Sequence, residues 1–209
     1  MSLFITFEGV EGCGKSVQAR ALYRRLSKLA IPAILTYEPG GTPLGEKLRR
    51  WLKQAGADIS PLTELLLFNA SRSQLVDRII KPGLENGKIV ICDRYAESTT
   101  AYQSYGRGLD LKMVEEVNNA ATQGLKPDLA ILLDMPANEG LARKESKSRD
   151  RFEQEDIAFH RRVRDGYLKM AVEEPQRWLV IDAEKSEEEI AGEVWQRVSE
   201  MLPRKNGKS

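Results

Sequence analysis

The chain of 209 residues has little of the chemistry on which several classes of protein depend. Its two cysteines, Cys13 and Cys92, are too few for the disulfide framework of a small secreted protein and suit a reducing cytoplasm. Its single histidine, His160, leaves little with which to build a histidine-based zinc site or a Ser-His-Asp triad. We therefore expect His160 to be a helix residue that makes ordinary hydrogen bonds.

The sequence also lacks long apolar runs and an excess of one charge. The longest apolar run, at residues 129–133, is far shorter than the roughly 20 residues that span a bilayer. The first residues lack the basic head of a signal peptide. Lys and Arg number 32 against 31 Asp and Glu, whereas proteins that coat nucleic acids are markedly basic. These features predict a cytoplasmic protein that acts on neither membranes nor nucleic acids.

Short apolar or β-branched segments alternate with longer amphipathic ones, which is typical of an α/β fold with a parallel sheet. Strands are predicted at residues 3–7, 33–37, 89–92, 129–133 and 178–181. Helices are predicted at 17–30, 44–54, 61–80, 111–121, 153–172 and 187–201. The pattern contains no internal repeat, so we expect one three-layer domain over residues 1–209, with a frayed polar tail at about 203–209.

A glycine-rich segment after the first strand matches the G-x-x-x-x-G-K-[ST] pattern of phosphate-binding loops (P-loops). It consists of Gly9, Val10, Glu11, Gly12, Cys13, Gly14, Lys15 and Ser16. Glycines allow backbone N–H groups to turn inward, and the following helix adds the positive end of its dipole. Lys15 supplies charge to the β- and γ-phosphates of ATP, while the Ser16 hydroxyl can bind Mg²⁺. The loop therefore predicts ATP binding, with Cys13 as a small tolerated residue.

Three further clusters predict a second substrate beside the nucleotide. The turn at 38–42, which starts with Glu38, follows the second strand, and Asp93-Arg94-Tyr95 ends the third, at the edge where parallel sheets bind ligands. Phe68 and Arg72 share one face of a predicted helix, where they can stack on a base and hydrogen bond its carbonyl. Taken alone, that pair is more typical of a core aromatic beside a solvated charge.

The segment ICDRYAESTTAYQ at 91–103 resembles the signature of the thymidylate kinase family. Shorter motifs agree with it: FEG at 7–9, EPGGT at 38–42, GRG at 106–108, PDL at 127–129 and DRFE at 150–153. The resemblance, over residues 3–182, implies a P-loop nucleoside monophosphate kinase fold with a five-stranded parallel sheet, flanking helices and a lid at about 143–152. It also implies a homodimer that transfers the γ-phosphoryl group of ATP to dTMP in dTTP biosynthesis, with Mg²⁺ as cofactor.

The same resemblance implies roles in the acceptor pocket. Phe68 stacks on thymine and Arg72 donates to its O4. The rest of the pocket around the base and sugar is implied to contain Glu11, Glu38, Thr99, Tyr102 and Gln103. Among them, Tyr102 crowds the position of a ribose 2′-hydroxyl. Arg49 and Arg94 are implied to bind the 5′-phosphate of dTMP.

Catalytic roles are implied for Lys15, Asp93, Arg94 and Arg149. Asp93 lies near the phosphates and the Mg²⁺, which Ser16 also binds. The lid is densely basic and the P-loop has no basic residue before Lys15, as in bacterial members whose lid provides the catalytic cation. We expect Arg149 to be that cation, with Arg151 and Lys147 as the next candidates. Arg143 is expected to lie against adenine.

Tyr37 departs from the family pattern, because relatives with this turn commonly carry arginine immediately before it. Either the remaining arginines of the acceptor site suffice, or affinity for dTMP is lower. Three other functions stay open on the residues alone: a kinase with another acceptor, a nucleotide switch or ATPase, and an inactive binding module. They are less favoured because we find acceptor-pocket residues and an intact P-loop, and no residue that would orient an attacking water.

Overall fold

The computed structural model of the protein describes residues 2–143 and 150–203. Five strands form one parallel sheet in the order β2-β3-β1-β4-β5. They are β1 (Leu3–Glu8), β2 (Ala33–Tyr37), β3 (Ile89–Asp93), β4 (Leu129–Asp134) and β5 (Trp178–Asp182). The predicted fold class is confirmed. Four of the strands run one residue further than predicted, because each ends on an acidic residue that still extends the strand.

Helices occupy the connections between the strands. They are α1 (Lys15–Lys28), α2 (Pro43–Lys53), α3 (Pro61–Leu75), α4 (Lys81–Glu85), α5 (Ala96–Thr99), α6 (Leu111–Thr122), α7 (Ala137–Ala142), α8 (Ile157–Glu173) and α9 (Glu187–Met201). Two stretches are π-helical: Val76–Ile80 joins α3 to α4, and Thr100–Gly106 continues α5. The prediction missed α4, α5 with its extension, and α7, which are too short or too uniformly buried to show a helical period.

Two of the predicted helices differ from the structure by more than two residues at one end. The helix predicted at 61–80 leaves α-helical geometry after Leu75 and passes into the π-helical stretch. The helix predicted from residue 153 begins at Ile157, because the side chain of Asp156 accepts a hydrogen bond from the backbone N–H of Phe159 and so caps the first turn.

Alternating side chains of β1 enter two different hydrophobic clusters. Leu3, Ile5 and Phe7 pack in one cluster, and Phe4 packs in the other. Because successive side chains of a strand point to opposite faces, both faces of the sheet are covered, as a three-layer fold requires. No helix within the described ranges is both long and apolar enough to cross a membrane.

His160 lies in α8 and is almost completely buried. Burial lowers the pKa of its imidazole. Its Nε2 atom has no hydrogen-bond partner within residues 2–143 and 150–203, so the expectation of ordinary hydrogen bonding is wrong for that atom.

Strand register places the segments of the candidate site side by side. In the β1–β3 ladder Phe7 pairs with Asp93, so the P-loop leaves the sheet next to the Asp93-Arg94-Tyr95 segment. In the β2–β3 ladder Tyr37 also pairs with Asp93, which brings the turn at 38–42 to the same edge. Three loops that are distant in sequence thus meet at the carboxyl ends of β1, β2 and β3.

Candidate active site

A cavity of about 670 Å³ opens at this edge of the sheet. It brings together most of the residues that the sequence singled out: Glu11, Gly12, Gly14, Lys15, Ser16, Glu38, Arg49, Phe68, Arg72, Asp93, Arg94, Thr99, Tyr102 and Gln103. Gly9, Val10 and Cys13 belong to the P-loop but do not line the cavity. Arg143 is also outside the lining, and its guanidinium donates to the backbone oxygen of Ala183.

The P-loop depends on glycine at a close backbone approach. Gly12 has φ of 76°, in the left-handed region, and a Cβ atom there would overlap the carbonyl oxygen of Gly140 in α7. Lys15 bends back over the loop, where its Nζ donates to Val10 O at 2.6 Å and lies 3.4 Å from Cys13 Sγ. The loop therefore holds a buried ammonium group at the start of α1, beside the positive end of the helix dipole.

Ser16 and Asp93 meet across the cavity floor, where the Ser16 hydroxyl donates to Asp93 Oδ2. A hydroxyl and a carboxylate are hard oxygen ligands of the kind that Mg²⁺ prefers. No group of three or more His, Cys, Asp or Glu within the described part of the chain is arranged to hold a metal ion. Two oxygens suffice for a Mg²⁺ ion that is also bound by substrate phosphates, so these residues fit that ion.

Arg94 reaches from the end of β3 to the P-loop. Its Nη2 donates to Glu11 Oε1 at 2.7 Å and to Tyr102 Oη at 3.2 Å, and its Nη1 donates to Gly9 O at 3.1 Å. The backbone φ of Arg94 is +75°, which is unusual for a residue other than glycine. Such strain is typical of positions where the surrounding structure holds a side chain in a functional orientation.

Arg72 forms a buried ion pair with Glu38, and its side chain is only 1% exposed. Nε donates to Glu38 Oε2, and the other acceptors are Asn69 Oδ1, Asn118 Oδ1, Tyr95 O and Thr99 Oγ1. These account for all five N–H donors of a guanidinium. Burial raises the pKa of Glu38 to about 7, against the lowering effect of Arg72. The solvated charge suggested by the residue pattern is wrong for Arg72, and donation to a bound base requires it to release one present bond.

Three aromatic rings close one side of the cavity. The ring of Phe152 lies 5.7 Å from that of Phe68 and 5.9 Å from that of Tyr102, measured between centroids. Phe152 lines the cavity. It was not assigned to the site from the sequence, in which its place in the DRFE motif was the only indication of a role. The end of the lid, at Phe152, thus contributes to the pocket that Phe68 and Tyr102 form.

Glu64 is a fully buried carboxylate that sequence reasoning missed. It accepts hydrogen bonds from Gln103 Nε2 at 2.6 Å, from Arg107 and from Arg151. Arg151 Nε also donates to the carbonyl oxygen of Leu52. The guanidinium of Arg151 is therefore engaged outside the cavity lining, which weakens its candidacy as the lid cation. Lys147 and Arg149 lie outside the described residues.

Three comparisons with known proteins agree on one family. Residues 7–194 match the family model described as thymidylate kinase. A thymidylate kinase of Dehalococcoides mccartyi (strain CBDB1) is 56% identical over 99% of this chain and 100% of its own length. One of Thermomicrobium roseum is 50% identical over 98% of each chain. A crystal structure of thymidylate kinase from Ehrlichia chaffeensis has a TM-score of 0.78 at 36% identity, over 94% of this chain and 98% of its own.

This chain belongs to the thymidylate kinase family. The resemblance carried by residues 91–103 and the shorter motifs is thereby confirmed, as is the expectation of an ATP-dependent nucleoside monophosphate kinase. The roles assigned to individual residues stay predictions, and the geometry supplies the conditions under which each can act.

Tyr37 shows how this thymidylate kinase fills the position next to the EPGGT turn. The guanidinium carbon of Arg49 lies 5.3 Å from the centre of the Tyr37 ring, and Arg49 Nη1 donates to Pro39 O. Tyr37 Oη donates to Glu46 Oε1 at 2.6 Å, which raises the pKa of the phenol. An aromatic ring under the predicted phosphate ligand Arg49 thus stands where the resemblance leads us to expect a further cation.

Proposed function

We propose that the cavity is the site at which this thymidylate kinase transfers the γ-phosphoryl group of ATP to the 5′-phosphate of dTMP, giving ADP and dTDP. The observation that carries the assignment is that the P-loop and the predicted dTMP-binding residues open on the same cavity. Phosphoryl transfer needs the donor and acceptor phosphates side by side and the developing charge neutralised, and one shared cavity lined by Lys15 and Arg94 favours both.

The donor half of the proposed site is the P-loop with the start of α1. The N–H groups of the loop and the helix dipole bind phosphate oxygens, and the ammonium of Lys15, which donates to Val10 O, exchanges that bond for the β- and γ-phosphates. Ser16 and Asp93 would hold Mg²⁺, which supplies charge neutralisation on the phosphates when bound. We keep Arg143 as the predicted neighbour of adenine.

The acceptor half of the proposed site is formed mainly by α2, α3 and α5 with its π-helical extension, and the P-loop, the EPGGT turn and the end of β3 complete it. Phe68 stacks on thymine, and Arg49 and Arg94 bind the 5′-phosphate. The residues proposed to line the base and sugar are Glu11, Glu38, Arg72, Thr99, Tyr102 and Gln103. The edge-to-face contact between Tyr102 and Phe152 supports the crowding of a 2′-hydroxyl, because it helps to fix the Tyr102 ring in the pocket.

In the transfer step the chain's own cations surround the moving phosphoryl group. Lys15 approaches from the donor side and Arg94 from the acceptor side, and Arg94 is held by contacts with Gly9 O and Glu11 rather than by solvent. A lid arginine, for which we propose Arg149, completes the set and helps to exclude water. Because charge spreads over the equatorial oxygens in the transition state, these groups act mainly on kcat.

We further propose that the enzyme is a cytoplasmic homodimer. Of the nine large hydrophobic residues that are exposed in the described chain, four lie on α2 and α3, which pack against each other: Leu44, Trp51, Leu62 and Leu66. A second copy of the chain would cover such a surface. Both cysteines are buried free thiols, which suits a reducing compartment. Light scattering of Leu66→Glu against the unmodified protein tests the dimer, since a charge at a buried contact should release monomer.

The function is tested by ADP release from Mg-ATP in the presence of dTMP, dUMP, dGMP, AMP or UMP, and with no acceptor. We expect strong turnover with dTMP, weaker turnover with dUMP and little without an acceptor. Equal release with and without acceptor would overturn the assignment of the acceptor half of the cavity.

A further inference from the structure

Glu8 is a buried carboxyl group that none of the roles above uses. It is the last residue of β1, directly before the P-loop, and it is completely buried. A carboxylate in such a place is costly unless hydrogen bonds satisfy it. Its partners therefore indicate what it contributes.

The two oxygens of Glu8 accept three hydrogen bonds. Oε1 accepts from the backbone N–H of Tyr95 at 2.8 Å. Oε2 accepts from the hydroxyl of Ser98 at 2.6 Å and from that of Tyr167 at 3.1 Å. The two hydroxyl oxygens are 2.7 Å apart. One carboxylate thus joins the end of β1 to α5, to α8 and to the turn before α5.

Each hydroxyl that Glu8 holds is also a contact of Arg94. Nη1 of Arg94 donates to Ser98 Oγ at 3.1 Å and to Tyr167 Oη at 3.2 Å. The peptide that follows Arg94 carries the Tyr95 N–H that Glu8 binds, and a left-handed residue such as Arg94 persists only where its surroundings hold it. Glu8 therefore supports the guanidinium of Arg94 and the backbone conformation that presents it.

We propose that Glu8 is a positioning residue for phosphoryl transfer, which acts through Ser98, Tyr167 and the Tyr95 amide to fix Arg94 against the acceptor phosphate. The proposal rests on the role proposed above for Arg94. It adds a group that touches neither substrate and whose charge state decides how well the arginine is held.

The ionised form of Glu8 suits this network better than the neutral form. A carboxylate accepts all three bonds, whereas a protonated carboxyl must donate with one oxygen, so that one hydroxyl has to turn away. Burial raises the pKa of Glu8 to about 7, and the charge of Glu97 raises it too, while Ser98 and Arg94 lower it. Tyr167 stays a neutral donor, because burial raises the pKa of its phenol well above the usual range. Arg94 should therefore lose support as the pH falls below about 7.

The test compares Glu8→Gln with the unmodified enzyme from about pH 6 to pH 8.5, with kcat/KM for dTMP as the quantity measured. Glutamine keeps an acceptor for the Tyr95 N–H but carries no charge and does not titrate. We expect kcat/KM to be at least about tenfold lower at pH 8 and the difference to shrink towards pH 6. The phosphate of dTMP also ionises in this range, so the ratio of the two profiles is compared, in which the substrate's ionisation cancels.

Two further variants make the result specific to Glu8. Asp134→Asn removes the carboxylate at the end of the neighbouring strand β4, whose partner is Arg164, and its ratio to the unmodified enzyme should not change with pH. Glu97→Gln removes a charge that raises the pKa of Glu8. The fall of kcat/KM on the acid side of the profile, here called the acid limb, should therefore move to lower pH. That variant keeps the proposal testable if Glu8→Gln does not fold, and an unmoved limb would overturn it.

Arg94→Ala separates this proposal from the assignment of the site. If Arg94→Ala remains active with dTMP, the role of Arg94 fails and the role of Glu8 fails with it. If Arg94→Ala is inactive while Glu8→Gln stays within about threefold of the unmodified enzyme at every pH, the role of Glu8 alone is overturned.

Discussion

The carboxylate of Glu38 and the guanidinium of Arg72 lie 2.7 Å apart, with side-chain exposures of 3% and 1%. The pair joins the EPGGT turn after β2 to the last turn of α3, and both residues line the cavity. The strength of this ion pair decides how readily the Arg72 guanidinium can release a present bond and donate to a substrate.

Glu38→Gln should lower the free energy of unfolding by about 3–5 kcal/mol, because a buried arginine loses its counter-charge. Urea denaturation measures the loss. Glu46→Gln is the matched control, since Glu46 accepts bonds from Tyr37 and the Gly41 N–H on a more exposed part of the same turn region. Equal losses of unfolding free energy in the two variants would contradict the prediction that the buried pair stabilises the fold more than the exposed contacts of Glu46 do.

Replacing Tyr37 with arginine should lower the KM for dTMP by about fivefold, since a further cation at a partly exposed site contributes on the order of 1 kcal/mol. Tyr37→Phe keeps the ring beneath Arg49 and loses only the bond to Glu46, so its KM should stay within about twofold. Steady-state kinetics at saturating ATP distinguish the two. An unchanged KM in Tyr37→Arg would mean that this position does not reach the phosphate.

Arg151→Met should destabilise the enzyme by about 3 kcal/mol and lower kcat, because the end of the lid loses its anchor on Glu64 and Leu52. Lys53→Met removes the second ion pair of that segment, to Asp150, which is partly exposed and should cost no more than about 1 kcal/mol. Denaturation and single-turnover rates are the measurements. A larger loss for Lys53→Met would contradict the ranking of the two anchors.

Gly12→Ala should abolish ATP binding, because its Cβ has no room against Gly140 and its φ is left-handed. Gly192→Ala is the matched control: Gly192 lies in α9 with open space around it, so alanine should stabilise the protein by about 0.5–1 kcal/mol. Calorimetric titration with ATP and thermal denaturation test the pair. Normal ATP binding by Gly12→Ala would contradict the close approach.

Arg149→Ala should lower kcat far more than it raises the KM for dTMP, since the lid cation is expected to act on the transition state. Lys144→Ala, a change of another basic residue in the same segment, should leave both constants within about threefold. A kcat within about threefold for Arg149→Ala would exclude it as the catalytic cation.

The elements that could be predicted from sequence are those whose signals are local. Every strand is an apolar run with a turn after it. Lys15 and Ser16 belong to a motif in which the spacing of the residues alone predicts phosphate binding. Glu64 could not be found in this way, because a lone acid in an apolar helix gives no sign of the arginines that reach it from residues 107 and 151. The burial of Arg72 was missed for the same reason, since its acceptors come from four separate segments.

The contact between Gly12 and Gly140 joins two main chains with no side chain between them. Gly140 belongs to α7, which ends at Ala142, directly before the lid, while Gly12 lies in the loop that receives the phosphates of ATP. A Cβ atom at either position would overlap a carbonyl oxygen of the other segment, so the approach requires glycine on both sides. The P-loop and the helix that leads into the lid therefore constrain each other's sequence as well as their own: neither position can accept a side chain while the other segment keeps its place.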